Sequence, residues 1–304
     1  MKKMYGVITA MTTPFREDGQ ADLAALETMT EFLIRSGVDC LYPCGTTGEM
    51  MLMTAEQREA VAECVVRKAA GRVTVFIHVG AIRQEETIRL ARHAREIGAD
   101  GIGVVSPAFF GLTDRELTEY YCTVAKSIPE DFPMYLYNIP QCTTNDLSPQ
   151  VCAEVAERCP NVIGVKYSYC DMHRTLDYLR IREGKFSVLV GFDRLLYPAL
   201  ELGCDGCVSG VSSVFPEPLV EIYRAFKAGD KEAVKKAMWL CNDIVVKLKS
   251  GSRMSIFKDV QTLRGLPGGH MQAPLLDVTE EEHRKLEELF EAYVKMFPLP
   301  EGIR

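Results

Sequence analysis

The sequence predicts an α/β protein: a closed (β/α)8 TIM barrel over residues 1–227, then a helical extension over residues 228–304. Three observations predict it. Short apolar runs alternate with helical stretches from residue 5 to about 227, in eight units. No run is followed by the Gly-x-Gly-x-x-Gly turn that marks a dinucleotide-binding open sheet. The units are evenly spaced and nearly every run ends in polar residues, as expected where strand ends carry the chemistry of a barrel.

The runs are Gly6–Met11, Val38–Tyr42, Val73–Val79, Gly101–Val105, Pro133–Tyr137, Val162–Lys166, Ser187–Val190 and Gly206–Ser209. Each is short and largely apolar, the pattern of a strand buried on both faces. Between them, apolar positions recur three and four residues apart. Thr54 with Gln57 and Thr113 with Glu116 form capping boxes at two helix starts. Gly37, Gly98 and Gly203 stand where helices should end, and Pro149 takes a first helical position behind Ser148. Past residue 228 the strand signal stops. Asp230–Ser250, Ser252–Arg264 and Thr279–Phe297 read as helices. The last has a Thr279–Glu282 capping box and an apolar face of Leu286, Leu289, Phe290, Tyr293 and Val294. This extension is expected to pack on the barrel or on a neighbouring subunit.

Composition narrows the function classes. Hydrophobic residues make up 47% and charged residues 25% of the 304, the balance of a folded globular chain. A net charge of −7 argues against nucleic acid or an anionic membrane as partner. No apolar run is long enough to span a bilayer, and the N-terminal stretch lacks the core of a signal peptide. Eleven cysteines, scattered without a framework, read as reduced thiols of a cytoplasmic protein.

Within that barrel, Val162-Ile163-Gly164-Val165-Lys166-Tyr167-Ser168 is the most informative stretch, because an apolar run leads straight into a lysine. Burial disfavours the charged amine, which makes it a nucleophile able to form a Schiff base with a carbonyl. A lysine that snorkels past the strand end to solvent fits the same letters. After the second run, Gly45-Thr46-Thr47-Gly48-Glu49 offers backbone N–H groups and hydroxyls to an anion such as a carboxylate, or is a turn requiring glycine. Tyr137, ending the fifth run, is a candidate proton shuttle or a core-edge tyrosine. Gly191, Asp193 and Arg194 follow the seventh run, and Val208 and Ser209 end the eighth. Cys204-x-x-Cys207 has metal-knuckle spacing without a second matching pair, so it reads as packing, with no metal expected. His78 reads as a core histidine.

Taken together, Gly45-Thr46-Thr47-Gly48-Glu49, Tyr137-Asn138-Ile139-Pro140 and Gly164-Val165-Lys166 resemble the dihydrodipicolinate synthase/N-acetylneuraminate lyase family of class I aldolases. Thr12-Thr13-Pro14-Phe15 and Gly203-Cys204-Asp205-Gly206 fit the same family. The resemblance implies a homotetramer that uses neither metal nor organic cofactor. It implies that Lys166 condenses with the keto group of pyruvate or another 2-keto acid. Tyr137 would then relay protons, and Thr46 and Thr47 would hold the substrate carboxylate, with Thr46 also linked to Tyr137. Gly45, Gly191, Asp193, Arg194, Val208 and Ser209 are expected to bind substrate.

Departures from the family pattern bear on the substrate. Cys142 stands where the synthases carry an arginine, and Ser106-Pro107-Ala108-Phe109-Phe110 lacks the phenol that they lend to a neighbouring site. Ile77-His78-Val79-Gly80 and Asp39-Cys40-Leu41-Tyr42 are closer to the lyase branch, but Arg194 replaces that branch's glutamate. The expected function is therefore a pyruvate-dependent Schiff-base lyase, similar to N-acetylneuraminate lyase. A dihydrodipicolinate synthase, another 2-keto-3-deoxy acid aldolase or dehydratase, and a catalytically lost binding barrel are the alternatives.

Overall fold

The computed structural model of the chain describes residues 1–249 and 253–303. Eight parallel strands pair in chain order: β1 (Gly6–Ala10), β2 (Cys40–Tyr42), β3 (Thr74–His78), β4 (Gly101–Val105), β5 (Met134–Asn138), β6 (Val162–Tyr167), β7 (Ser187–Val190) and β8 (Gly206–Ser209). The barrel closes where β8 pairs with β1, Ile8 opposite Val208. Every apolar run of the sequence is a strand, with ends shifted by at most two residues.

Helices α1 (Leu23–Arg35), α2 (Ala55–Ala69), α3 (Gln84–Glu96), α4 (Asp114–Lys126), α5 (Pro140–Thr143), α6 (Pro149–Arg158), α7 (Met172–Leu179) and α8 (Leu196–Glu201) connect the strands, and α9 (Pro216–Ala228) follows β8. The short α5 is an extra turn on the β5–α6 connection that the sequence pattern did not mark. The capping boxes at Thr54 and Thr113 form as expected, each satisfying two N–H groups of the first turn. Gly37, Gly98 and Gly203 adopt left-handed backbone after α1, α3 and α8.

The barrel interior is packed by alternating large and small residues. β2, β3 and β5 send in Tyr42, Phe76 and Tyr135, and glycines on β4 and β6 make room for them. A Cβ on Gly103 would lie 1.9 Å from the Tyr42 hydroxyl, and one on Gly101 only 2.2 Å from the Phe76 ring. Filling such a gap with one methyl typically costs about 1–3 kcal/mol.

Three more helices follow, α10 (Lys231–Lys247), α11 (Met254–Leu263) and α12 (Glu280–Met296). The expected helix ends at Ser250 and Ser252 lie outside the described residues. These helices pack back on the barrel. Arg264, at the end of α11, pairs with Glu217 of α9 at 2.6 Å, and Phe290 of α12 stacks on Phe215. Leu289 departs from the expected apolar face: α12 buries Leu286, Phe290 and Tyr293, and Leu289 is 40% exposed. Among the described residues, no helix is long and apolar enough to cross a membrane.

Candidate active site

Strand register sets the heart of the site. Tyr137 on β5 and Lys166 on β6 are direct partners in the parallel ladder, so their side chains enter the barrel side by side. Lys166 is only 5% exposed, and its Nζ lies 3.8 Å from the centre of the Tyr137 ring and 5.2 Å from that of Tyr42. It therefore does not snorkel. The interior parity that it shares with Gly164 carries the amine into the barrel, with aromatic faces as its neighbours.

Thr46 approaches from the loop after β2, its Oγ1 3.3 Å from the Tyr137 hydroxyl. Thr46–Gly48 form one 3-10 turn, stitched by Gly48 N–H to Gly45 O and Glu49 N–H to Thr46 O. The backbone N–H groups of Thr46 and Thr47 take no part in those bonds, which suits a turn that receives an anion. Two non-glycine residues in left-handed backbone, Cys44 at φ 59° and Glu49 at φ 61°, bracket it. Such residues are rare and cluster at functional sites. Gly45 itself has φ −91°, so its backbone angles do not require glycine; Gly48 is the tight position, where a Cβ would come 3.0 Å from Met11 O and Thr13 Oγ1.

These groups line a cavity of about 610 Å³ at the C-terminal end of the barrel. Of the residues singled out in the sequence, Lys166, Tyr137, Thr46, Thr47, Gly191, Asp193, Arg194 and Val208 reach it. Gly191 is fixed by close packing, since a Cβ there would lie 1.9 Å from Ser168 Oγ. Ser209 does not belong to the cavity. One residue past Val208 on β8, it points the other way, and its Oγ accepts from Ser212 N–H at 2.8 Å. Gly45 lies outside the lining as well, its carbonyl engaged within the turn.

His78 is a core histidine. Its ring is edge-on to Tyr137 at 5.8 Å and to Tyr42 at 6.0 Å. Val105 N–H donates to its Nε2, so Nδ1 carries the proton and donates to Cys44 O at 3.0 Å. Burial, then the charges of Arg58 and Lys166, hold its pKa well below 6.5. The neutral ring is thus a fixed wall behind Tyr137. Buried Arg58 is the partner that the sequence did not reveal, donating to Gly80 O and His78 O at 3.0 and 2.9 Å.

Cys204 and Cys207 are buried, free thiols whose pKa burial raises, to about 12 for Cys204. Among the described residues, no group of three His, Cys, Asp or Glu is placed to hold a metal ion. Sequence reasoning missed two contributions of the helical extension. Phe257 of α11 lines the cavity, and Lys258 pairs with Glu49 beneath the Thr46–Gly48 turn.

A lysine inside a (β/α)8 barrel, beside a tyrosine and a threonine pair, defines a class I lyase, an enzyme that works through a lysine Schiff base. The chain matches the family described as "Dihydrodipicolinate synthetase family" over residues 3–293, and it belongs to that family. It is 34% identical over 288 residues to 4-hydroxy-tetrahydrodipicolinate synthase of Aquifex aeolicus, covering 95% of this chain and 97% of that one. It is 36% identical over 233 residues to a probable 2-dehydro-3-deoxy-D-pentonate aldolase of Escherichia coli, covering 76% and 77%. The solved structure of N-acetylneuraminate lyase from Mycoplasma synoviae superposes with a TM-score of 0.85 at 29% identity, over 97% and 98% of the two chains. Synthase, aldolase and lyase therefore stand at similar distances, and membership of the family does not single out the lyase branch.

Proposed function

We propose that the chain is a pyruvate-dependent aldolase that makes or breaks a C–C bond of a 2-keto acid through an imine on Lys166. The observation that carries this is the amine of Lys166, held in the barrel 3.8 Å from the Tyr137 ring, with the Tyr137 hydroxyl tied to Thr46.

Each step follows from that placement. The unprotonated amine adds to the keto carbon, and Tyr137 delivers the proton that lets water leave the carbinolamine. Thr46 and Thr47 hold the neighbouring carboxylate. In cleavage, Tyr137 takes the proton of the 4-hydroxyl and the C3–C4 electrons flow into the protonated imine, leaving an enamine. Protonation at C3 and hydrolysis release pyruvate and free Lys166. The imine is the electron sink, so this reading calls for no metal or organic cofactor.

The substrate reading turns on the cavity's outer wall. Cys142 lies there in place of the synthases' arginine, and a thiol cannot form the paired hydrogen bonds of a guanidinium with a carboxylate. Arg194 also lies on that wall and favours an acidic or acceptor-rich 2-keto acid over the neutral tail of N-acetylneuraminate. A second reading, 4-hydroxy-tetrahydrodipicolinate synthase, is favoured by the full-length match to the Aquifex enzyme. In that reading Arg194 would meet the aldehyde's carboxylate.

A panel of 2-keto acids and pyruvate-plus-aldehyde pairs, scored by pyruvate release or uptake, separates the readings. Cleavage of a 2-keto-3-deoxy acid supports the aldolase. Fast condensation with aspartate semialdehyde replaces it with the synthase, and no turnover of any pair with no imine on Lys166 sinks both. Unpaired cysteines suit a cytoplasmic enzyme. The exposed, edge-to-face Phe109 and Phe110 after β4 suit a homotetramer in which a second copy covers them.

A further inference from the structure

Glu49 ends the Thr46–Gly48 turn, and its carboxylate is almost fully removed from solvent, with 1% of the side chain exposed. Its partners come from the helical extension. Lys258 of α11, 3% exposed, places Nζ 2.6 Å from Oε1, and Gln272 N–H donates to Oε2 at 2.8 Å. The ammonium also donates to His270 O and sits 4.5 Å over the Phe15 ring. Phe257, the residue before Lys258, shares the cavity wall with Thr47 and lies close to it across Gly210: a Cβ on Gly210 would lie 3.1 Å from Phe257 and 3.3 Å from Thr47 Oγ1. Two consecutive residues of α11 thus meet the site: Lys258 grips the end of the segment that carries Thr46 and Thr47, and Phe257 lines the cavity beside it.

Stability alone does not account for this arrangement. Two charges taken out of water rarely recover their desolvation cost, and a well-packed apolar pair often does as well or better. The left-handed φ of 61° at Glu49 is an added cost that glycine would avoid. What the pair supplies is direction: a carboxylate held by an ion pair on one oxygen and a backbone N–H on the other fixes where the turn ends, and so where the two hydroxyls and N–H groups before it point.

We infer that Glu49 is a positioning residue, clamped by Lys258 and Gln272, which holds Thr46 and Thr47 in place for the substrate carboxylate and for Tyr137. The helical extension is then part of the active site. This rests on the reading of Lys166 as the imine-forming amine and of the Thr46–Thr47 turn as the carboxylate site.

Borohydride trapping of pyruvate on Lys166 tests it, because it reads occupancy of the site before any aldehyde is involved. Wild type, Glu49→Gln and the double variant Glu49→Gln/Lys258→Met are titrated with pyruvate, each well below its own melting temperature. The expected result is a rise of about tenfold or more in the pyruvate needed for half-maximal trapping in both variants, the scale of effect for a misaligned binding turn. The double variant removes both buried charges, so it guards against a simple folding defect. Its melting temperature is expected to recover relative to the single variant while its pyruvate requirement stays high. Wild-type half-saturation in either folded variant overturns the inference, whatever its stability. Absence of any adduct in wild type instead overturns the Schiff-base reading itself.

Discussion

The Tyr137 ring presents its face to Lys166 Nζ at 3.8 Å while its hydroxyl reaches Thr46 Oγ1 at 3.3 Å. One side chain therefore meets the amine with its π-face and the proton relay with its oxygen. Tyr137→Phe keeps the face and deletes the oxygen. Turnover should fall on the order of a hundredfold or more, the range for a lost general acid–base, while the fold survives. Thermal melting and steady-state rates check this together, and near-normal turnover would leave Tyr137 a packing residue.

Lys166 should carry the substrate covalently. Borohydride in the presence of pyruvate should add one reduced three-carbon group, found by mass spectrometry on the peptide containing Lys166. Lys166→Ala should take up none. An adduct on a different lysine would move the chemistry away from β6.

His78 should give the fold a dependence on acid. Its folded pKa is held well below 6.5 by burial, Arg58 and Lys166, whereas the unfolded chain protonates it near 6.5. Below that pH the unfolded state binds the extra proton, so stability is lost as pH falls, by about 1.4 kcal/mol per pH unit at the limit. His283 acts in the opposite sense. Asp259 raises its pKa, so its contribution is present at low pH and lost as pH rises through the folded pKa. Comparing wild type with His78→Gln isolates the first effect: denaturant midpoints from pH 7 to pH 5 should fall less steeply in the variant.

What the sequence could and could not disclose follows from how each feature is encoded. Strands buried on both faces appear as apolar runs, and capping boxes are local in the chain, so both were legible. Lys166 stood out because a charge at the end of such a run is costly. Ser209 was misplaced because adjacent residues of a strand face opposite ways, and a motif at a strand end does not say which one faces in. Leu289 fits a helical stripe by spacing, yet α12 buries Leu286, Phe290 and Tyr293 of that stripe and leaves Leu289 exposed. The Glu49–Lys258 pair and Phe257 join remote parts of the chain, and no local pattern announces such contacts.

Two exposed thiols, far apart in the chain, share one cavity in three dimensions. Cys142 and Cys170 are the exposed cysteines among the eleven, and both line the catalytic cavity. Gln141 Nε2 donates to Ser168 O at 2.8 Å, which ties the two loops together. Brief iodoacetamide treatment of the native protein should label these two before the buried nine and should block activity. A saturating 2-keto acid should slow both effects. Full activity after both are labelled would show that the substrate does not pass them.

Arg194 bears most directly on the choice of substrate. It sits in the 3-10 turn Asp193–Leu195 after β7, exposed at the cavity wall, and among the described residues no carboxylate pairs with it. A guanidinium only donates hydrogen bonds and keeps its positive charge at any working pH, so it suits a carboxylate or a row of acceptor oxygens. A glutamate at the same position would accept from neutral hydroxyls and repel an acidic tail. Arg194→Glu should therefore raise KM for an acidic 2-keto acid by about tenfold or more, the scale of a lost charge-assisted pair, and leave borohydride trapping of pyruvate unchanged. The same variant should gain on substrates with a neutral polyol tail, N-acetylneuraminate among them. Because the trapping control reads only the inner end of the site, a KM change without a trapping change places Arg194 at the distal end. If wild type and variant instead perform equally on every member of the panel, Arg194 is a surface residue, and the choice of substrate lies with Cys142, Cys170 and the loops that carry them.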